Sequence, residues 1–181
     1  MKILIIGSGG REHALCHALK KSSKIKEIFC IPGNAGTDSI AKNFVIDMKN
    51  FPKIKEFVNQ YKIDLVIIGP EQPLVDGIVD YLNENKIRVF GPNKIASQLE
   101  GSKTFTKELC KKYNIPTAKF GIFEDIKSAN KFLEKCNLPI VIKADNLASG
   151  KGVYICNNKN DAIKAIQEIF NGKFGIAKKI L

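Results

Sequence analysis

Short apolar runs of strand length alternate with amphipathic stretches along the chain, and the early runs stop at glycine or proline. Lys2–Ile6 leads into Gly7, Lys26–Ile31 into Pro32-Gly33, Leu65–Ile68 into Gly69-Pro70, and Ile87–Phe90 into Gly91-Pro92. Between them, residues 12–21, 51–61 and 74–83 carry helical spacing, with Ala14, Leu15, Ala18 and Leu19 on one face of the first. This alternation predicts a parallel sheet wrapped by helices, β-α-β-α-β-α-β to about residue 100, with a short extended piece near Phe44–Ile46. Right-handed crossovers put the C-terminal ends of the strands on one rim, where open sheets take their ligands. Loops Gly7–Arg11, Ile31–Gly36 and Gly69–Pro73 converge on that rim.

The character changes after residue 101. Lys103–Tyr113 reads as a helix, Lys119–Phe123 as a strand, and Asp125 as the cap of a helix running to about Cys136. Strands Pro139–Ala144 and Gly152–Cys156 flank a loop, Asp145–Lys151, and a helix follows over Asp161–Phe170. The tail from Gly172 to Leu181 opens another apolar stretch. The predicted organisation is therefore an α/β domain over residues 1–101 and the start of a second domain over 102–181.

Composition narrows the function classes. The formal net charge is +11, which raises nucleic acid as a partner, but Arg11 and Arg88 are the only arginines among 29 basic residues. Arginine's planar fork is the preferred reader of phosphate and guanine, so lysines scattered along the whole chain argue against a nucleic-acid binder. No apolar run approaches the ~20 residues that span a bilayer, and the apolar start is too short for a signal peptide; a cytoplasmic protein with no membrane partner is expected. Cys16, Cys30, Cys110, Cys136 and Cys156 are scattered, odd in number and free of Cys-x-x-Cys spacing, which indicates reduced thiols rather than a disulfide framework or zinc site.

Two loops carry chemistry. In Gly7-Ser-Gly-Gly-Arg-Glu-His13, glycines between a strand and a helix let backbone N–H groups approach an anion at the helix's positive end. A dinucleotide fingerprint would need glycine at position 12, where Glu12 stands, and an acid ending the second strand, where the chain has Ile31-Pro32-Gly33-Asn34. A phosphorylated sugar suits this loop better than NAD. His13 and His17 lie four apart with Cys16 between them, but no third metal ligand is near in sequence; packed residues are the simpler reading, with His13 close enough to the loop to touch substrate. In Lys143-Ala-Asp-Asn-Leu-Ala-Ser-Gly-Lys-Gly152, Asp145 and Gly152 stand where a Walker A loop needs Gly and Ser or Thr, and a strand follows instead of a helix. A strand lysine followed by a loop ending Gly-Lys-Gly suits a flap closing over a nucleotide. Lys103 offers a further positive charge at a helix start.

Read in order, Ile6-Gly-Ser-Gly-Gly-Arg-Glu-His-Ala14, Pro32-Gly-Asn-Ala-Gly-Thr37, Gly69-Pro-Glu-Gln-Pro-Leu-Val-Asp-Gly77, Phe90-Gly-Pro92, Gln98-Leu-Glu-Gly-Ser-Lys103, Ile115-Pro-Thr117, Ile142-Lys-Ala-Asp145 and Gly150-Lys-Gly-Val153 resemble the phosphoribosylamine–glycine ligase (glycinamide ribonucleotide synthetase) family of the ATP-grasp superfamily. The resemblance covers essentially all 181 residues; Asn146 and Ser149 stand where the family usually has glycine and alanine. It implies a pre-ATP-grasp, Rossmann-like parallel-sheet domain followed by an incomplete ATP-grasp domain.

It also implies roles. Gly9, Gly10 and Arg11 would lie near the phosphate or ribose of phosphoribosylamine, and Asn34 and Glu71 would help hold the sugar or amine. Lys103 and Lys143 would contact ATP, while Gly150, Lys151 and Gly152 would close as the lid. The implied reaction activates glycine's carboxylate with ATP as an acyl phosphate, which the amine attacks, giving glycinamide ribonucleotide, ADP and phosphate in purine synthesis. The family's chains continue for more than as many residues again, and that part supplies the Mg²⁺ ligands. The resemblance therefore implies a chain with negligible activity alone, unless a second polypeptide completes it. It also sets a glycine-lined sugar-phosphate pocket and a lysine-lined nucleotide pocket across a domain boundary. The competing classes are a phosphosugar-binding module or relic without catalysis, an NAD oxidoreductase and a basic nucleic-acid binder.

Overall fold

β1 (Lys2–Gly7) forms the centre of the first sheet because its residues are apolar on both faces; Ile3, Leu4, Ile5 and Ile6 are all buried. The structure, a computed structural model, describes residues 1–145, 147, 151–174 and 179–181. It divides into two compact units, Met1–Ser97 and Gln98–Leu181.

In the first unit β1 is followed by α1 (Gly10–Lys20), β2 (Glu27–Pro32), α2 (Ala35–Asp38), β3 (Lys42–Asn43), α3 (Phe51–Tyr61), β4 (Leu65–Ile68), α4 (Glu71–Asp76), α5 (Ile78–Glu84), β5 (Val89–Phe90) and α6 (Lys94–Gly101), the last running across the boundary. The sheet is parallel throughout, in the order β3-β2-β1-β4-β5, with Ile6 level with both Ile31 and Ile68. Strand alternation sorts the core into two layers. Leu4, Ile6, Phe29 and Ile31 face Ile54, Phe57 and Val58 of α3 and Ile78, Val79 and Leu82 of α5. Ile3, Ile5, Ile28 and Cys30 face Cys16 of α1. The chain leaves β1 toward β2 and β3, then returns to lay β4 on β1's other side. The sheet therefore reverses direction between β1 and β4, and the carboxyl ends of those strands bound a crevice.

Two sequence expectations in this unit are corrected. The short extended piece lies at Lys42–Asn43, not 44–46, because Phe44 is drawn into an aromatic cluster with Phe29, Phe57 and Tyr61. The helix expected over 74–83 starts at Glu71 and is broken at Gly77, whose φ of +99° only glycine adopts without strain. Helices α2 and α6 were not anticipated.

The second unit holds α7 (Lys103–Lys112), α8 (Ile126–Leu133), β6 (Ile140–Lys143), β7 (Val153–Cys156) and α9 (Lys159–Phe170). Side-chain caps start the helices: Ser102, Asp125 and Asn158 accept from the backbone N–H of Phe105, Ser128 and Asp161. β6 and β7 pair antiparallel, and one face of the pair packs Ile142 and Cys156 against Ala129 and Leu133 of α8 and Ala165, Ile166 and Ile169 of α9. Residues 179–181 run along the other edge of β6, where Lys143 and Leu181 exchange backbone hydrogen bonds of 2.8 and 2.9 Å. The strand expected at 119–123 is absent. Among the described residues only Phe123 of that stretch pairs, as a bridge to Ile180, and residues 115–119 are exposed with no strand alongside.

Candidate functional site

Four residues of the first loop and its helix build the mouth of the β1–β4 crevice. Gly9 is the N-cap of α1, in extended conformation, and Glu12 at the third helical position reaches back to accept the Gly9 N–H at 2.5 Å. This is the acidic half of a capping box. Glu12 is only 3% exposed and lies between the strand ends: a Cβ on Gly69 would stand 2.0 Å from its Oε1, and one on Gly7 would stand 2.6 Å from its Cδ. Gly10 is different, since nothing lies within 4 Å of where its Cβ would be. Gly7 and Gly69 thus make room for a side chain, and the space beside Gly10 is open.

Arg11 crosses the crevice. Its Nη1 donates to the Gly69 carbonyl at 2.6 Å and its Nη2 to Glu71 Oε1 at 2.8 Å. The guanidinium holds the Glu71 carboxyl below the usual carboxylate range, helped by backbone N–H donation at the start of α4. A cleft of about 320 Å³ opens here, lined by Ser8–Glu12, Met48, Pro70 and Glu71. Asn34 ties the neighbouring loop to the first one: its Nδ2 donates to the carbonyls of Ser8 (2.8 Å) and Gly9 (3.2 Å), and its Oδ1 accepts from Thr37 N–H at 2.9 Å while capping α2. The Asn34 side chain is thus tied to backbone. His13 packs against Gly36, where a Cβ would come within 2.8 Å of the ring.

The cleft is therefore bounded by the N-terminus of an eleven-residue helix and by a guanidinium on one side, and by the carboxylate that pairs with it on the other. That arrangement suits a ligand carrying both a phosphate and an amine.

In the second unit, the N-terminus of α7 meets the end of β6. The Asp145 carboxylate accepts from Thr104 N–H at 3.0 Å and from the Ser102 hydroxyl at 3.2 Å. Burial pushes the Lys103 ammonium below the ordinary lysine range; Asp145 opposes this shift and Lys143 adds to it. Lys103, Lys143 and Asp145 therefore form one charged group. Lys143 shares the outward face of the β6–β7 pair with Val141, Val153 and Ile155, which are 42%, 45% and 73% exposed. Lys151 is exposed, and Gly152 is buried with φ +76° while its carbonyl accepts from Ala144 N–H. Gly150 lies outside the described residues.

The sequence brought Gly9, Gly10, Arg11, Asn34 and Glu71 to one rim, and the structure does the same. It did not reveal that Glu12 is buried, that Arg11 pairs with Glu71, that Met48 lines the cleft, or that Asp145 caps α7. The Glu at the third helical position was the one local signal available for any of these.

Residues 1–100 match the family described as "Phosphoribosylglycinamide synthetase, N domain", and residues 101–181 match "Phosphoribosylglycinamide synthetase, ATP-grasp (A) domain". The chain belongs to the phosphoribosylglycinamide synthetase family. Among curated members of the family, it is 45% identical over 177 residues to a phosphoribosylamine–glycine ligase of Clostridium acetobutylicum, covering 95% of this chain and 42% of that protein. It is 47% identical over 177 residues to that of Mesorhizobium japonicum, covering 98% and 42%. The solved phosphoribosylamine–glycine ligase of Thermotoga maritima superposes with a TM-score of 0.80 at 33% identity, over 99% of this chain and 42% of that one. The biotin carboxylase domain of the Hydrogenobacter thermophilus 2-oxoglutarate carboxylase, solved with MgADP, shares the fold at 20% identity and a TM-score of 0.77. The family member described here thus spans about 42% of the length of the curated relatives it matches.

Proposed function

We propose that this chain carries the phosphoribosylamine site and the opening part of the ATP site of a phosphoribosylamine–glycine ligase. The observation that carries the reading is the Arg11–Glu71 pair set across the β1–β4 crevice beside the open face of Gly10. Gly10 and Arg11 would hold the phosphate through backbone N–H and guanidinium, Glu71 would accept from the amine, and Gly9 and Asn34 would hold the loops in register. Residues 1–101 are the substrate-binding domain and 102–181 the start of the ATP-grasp domain.

In the second unit an adenine ring suits the apolar surface of Val141, Val153 and Ile155, and the triphosphate suits Lys103 and Lys143. A phosphate near Lys103 would offset the burial and the repulsion from Lys143 that depress its charge. Lys151, with Gly150 and Gly152, is assigned to the closing lid.

A carboxylate is a poor electrophile, so glycine must first be phosphorylated by ATP. The acyl phosphate then loses phosphate as the amine attacks. The chain's residues contribute positioning and charge complementarity to this step. Mg²⁺ accompanies ATP in such reactions and neutralises its triphosphate. Among the described residues no three His, Cys, Asp or Glu side chains come together to hold a metal. No helix among the described residues is long and apolar enough to cross a membrane. The biosynthetic reading places the protein in the cytoplasm, acting on small molecules.

Titration calorimetry with ribose 5-phosphate and with ATP, each alone, tests both halves. Arg11→Ala should weaken ribose 5-phosphate by about tenfold or more and leave ATP unchanged, and Lys143→Ala should do the reverse. Ribose 5-phosphate binding that ignores Arg11→Ala would sink the assignment of the first site.

A further inference from the structure

The crevice at which an open parallel sheet reverses is where such folds admit a ligand, and where a dinucleotide's diphosphate would lie against strand-end glycines. Here that space is filled from within. The Glu12 side chain, 3% exposed, occupies the gap between the ends of β1 and β4, in contact with both Gly7 and Gly69. It also takes the Gly9 N–H, a donor that a diphosphate would use. Gly10 has clear space beside it, and the Arg11 guanidinium rests on Gly69 and Glu71.

We propose that Glu12 is the specificity-determining residue of this site, closing the β1–β4 crevice to a diphosphate while leaving space for a single phosphate at Gly10 and Arg11. The inference rests on reading the first unit as a phosphosugar site. Two physical causes act together. The side chain's volume blocks the approach to Gly7 and Gly69, and a carboxylate in a poorly solvated crevice repels a second anion. Glycines that would serve a phosphate in a dinucleotide fold are given over to a side chain of the protein.

The test uses the whole chain and inorganic pyrophosphate as probe, followed through the amide resonances of Gly7, Gly10 and Gly69. With wild-type protein, pyrophosphate should move Gly10 and leave Gly7 and Gly69 in place. Glu12→Ala empties the crevice, and pyrophosphate should then shift Gly7 and Gly69 and bind about tenfold tighter. Glu12→Gln keeps the volume and the acceptor for Gly9 N–H while removing the charge, so it should admit pyrophosphate far less than Glu12→Ala does, which separates a plug from a generally loosened loop. If the Ala variant does not fold, Glu12→Asp, one methylene shorter, replaces it with the same expected direction. Failure of the shortened variant to admit pyrophosphate at Gly7 and Gly69, or equal admission by Glu12→Gln, overturns the proposal. Ribose 5-phosphate titrated into wild type judges the phosphosugar reading separately. Its failure to bind would end that reading, while the pyrophosphate shifts at Gly7 and Gly69 would still decide the role of Glu12.

Discussion

Glu71 and Arg11 form an exposed pair whose worth to folding is small, about 0.2–1 kcal/mol, so their hold on the cleft is better seen in ligand binding than in stability. Arg11 keeps the Glu71 carboxyl below its ordinary range. A carboxylate with a depressed value in the folded state adds stability that is present above its unfolded value, near pH 4.3, and lost as pH falls through the folded one. The pair is therefore intact at neutral pH and opens only in acid. Glu71→Gln should leave the melting temperature within a degree or two. It should also release Arg11 for phosphate, so ribose 5-phosphate binding should strengthen about two- to fivefold and lose its dependence on pH between 3 and 5. Calorimetry across that range checks it; weaker binding in the variant would show that Glu71 orients Arg11 for the phosphate. At this scale the sequence marked Glu12 as a departure from the dinucleotide pattern, and that was legible. Its burial was not, because the hole it fills is made by Gly7 and Gly69, far apart along the chain, and exists only once β1 pairs with β4.

Elements followed the sequence wherever apolar periodicity and capping agreed. The helix at Phe51–Tyr61 begins at its Asn50 cap and a proline in its first turn, and the strand at Leu65–Ile68 ends at Gly69. They departed where a partner decided the matter. The stretch Lys119–Phe123 has the residues of a strand but pairs only at Phe123, so its backbone groups have no ladder to join. The start of α7 is a second case: Ser102 is a readable cap, whereas Asp145 arrives from the end of β6 and accepts the Thr104 N–H. A carboxylate on a helix N-terminus complements the dipole and satisfies orphan donors. Asp145→Ala should cost the second unit about 1–2 kcal/mol and Asp145→Asn less, since the amide keeps an acceptor but loses the charge. Urea unfolding followed by hydrogen exchange in α7 and β6 measures this. An Ala variant as stable as wild type would mean that water caps the helix equally well.

Across the whole molecule, high pH sets two effects of opposite sign against each other. The chain carries a formal charge of +11 at neutral pH, and loss of lysine protons in alkali would relieve its self-repulsion. The buried thiols act the other way. Cys16 and Cys30 lie back to back in the first unit, with sulfurs 3.3 Å apart between α1 and β2, and Cys156 is buried in the second. Burial pushes all three thiols up, and for Cys30 the shared hydrogen bond with Cys16 adds to the shift. A thiol held protonated in the folded state stabilises fully below its unfolded value, near pH 8.5–9, and that contribution is lost as pH rises, because the unfolded chain releases the proton first. Each such thiol costs up to about 1.4–2 kcal/mol by pH 10. The lysines are scattered, and charges more than about 8 Å apart at physiological salt are largely screened, so their relief is the smaller effect. The first unit should therefore lose stability between pH 8 and 10. In Cys16→Ala/Cys30→Ala the starting stability should be lower, from the lost packing, and the fall over the same pH interval clearly shallower. Urea titrations of both proteins at pH 8, 9 and 10 decide it: parallel falls would take the alkaline sensitivity away from the thiols, and a rise in wild-type stability would show that the lysine charge dominates.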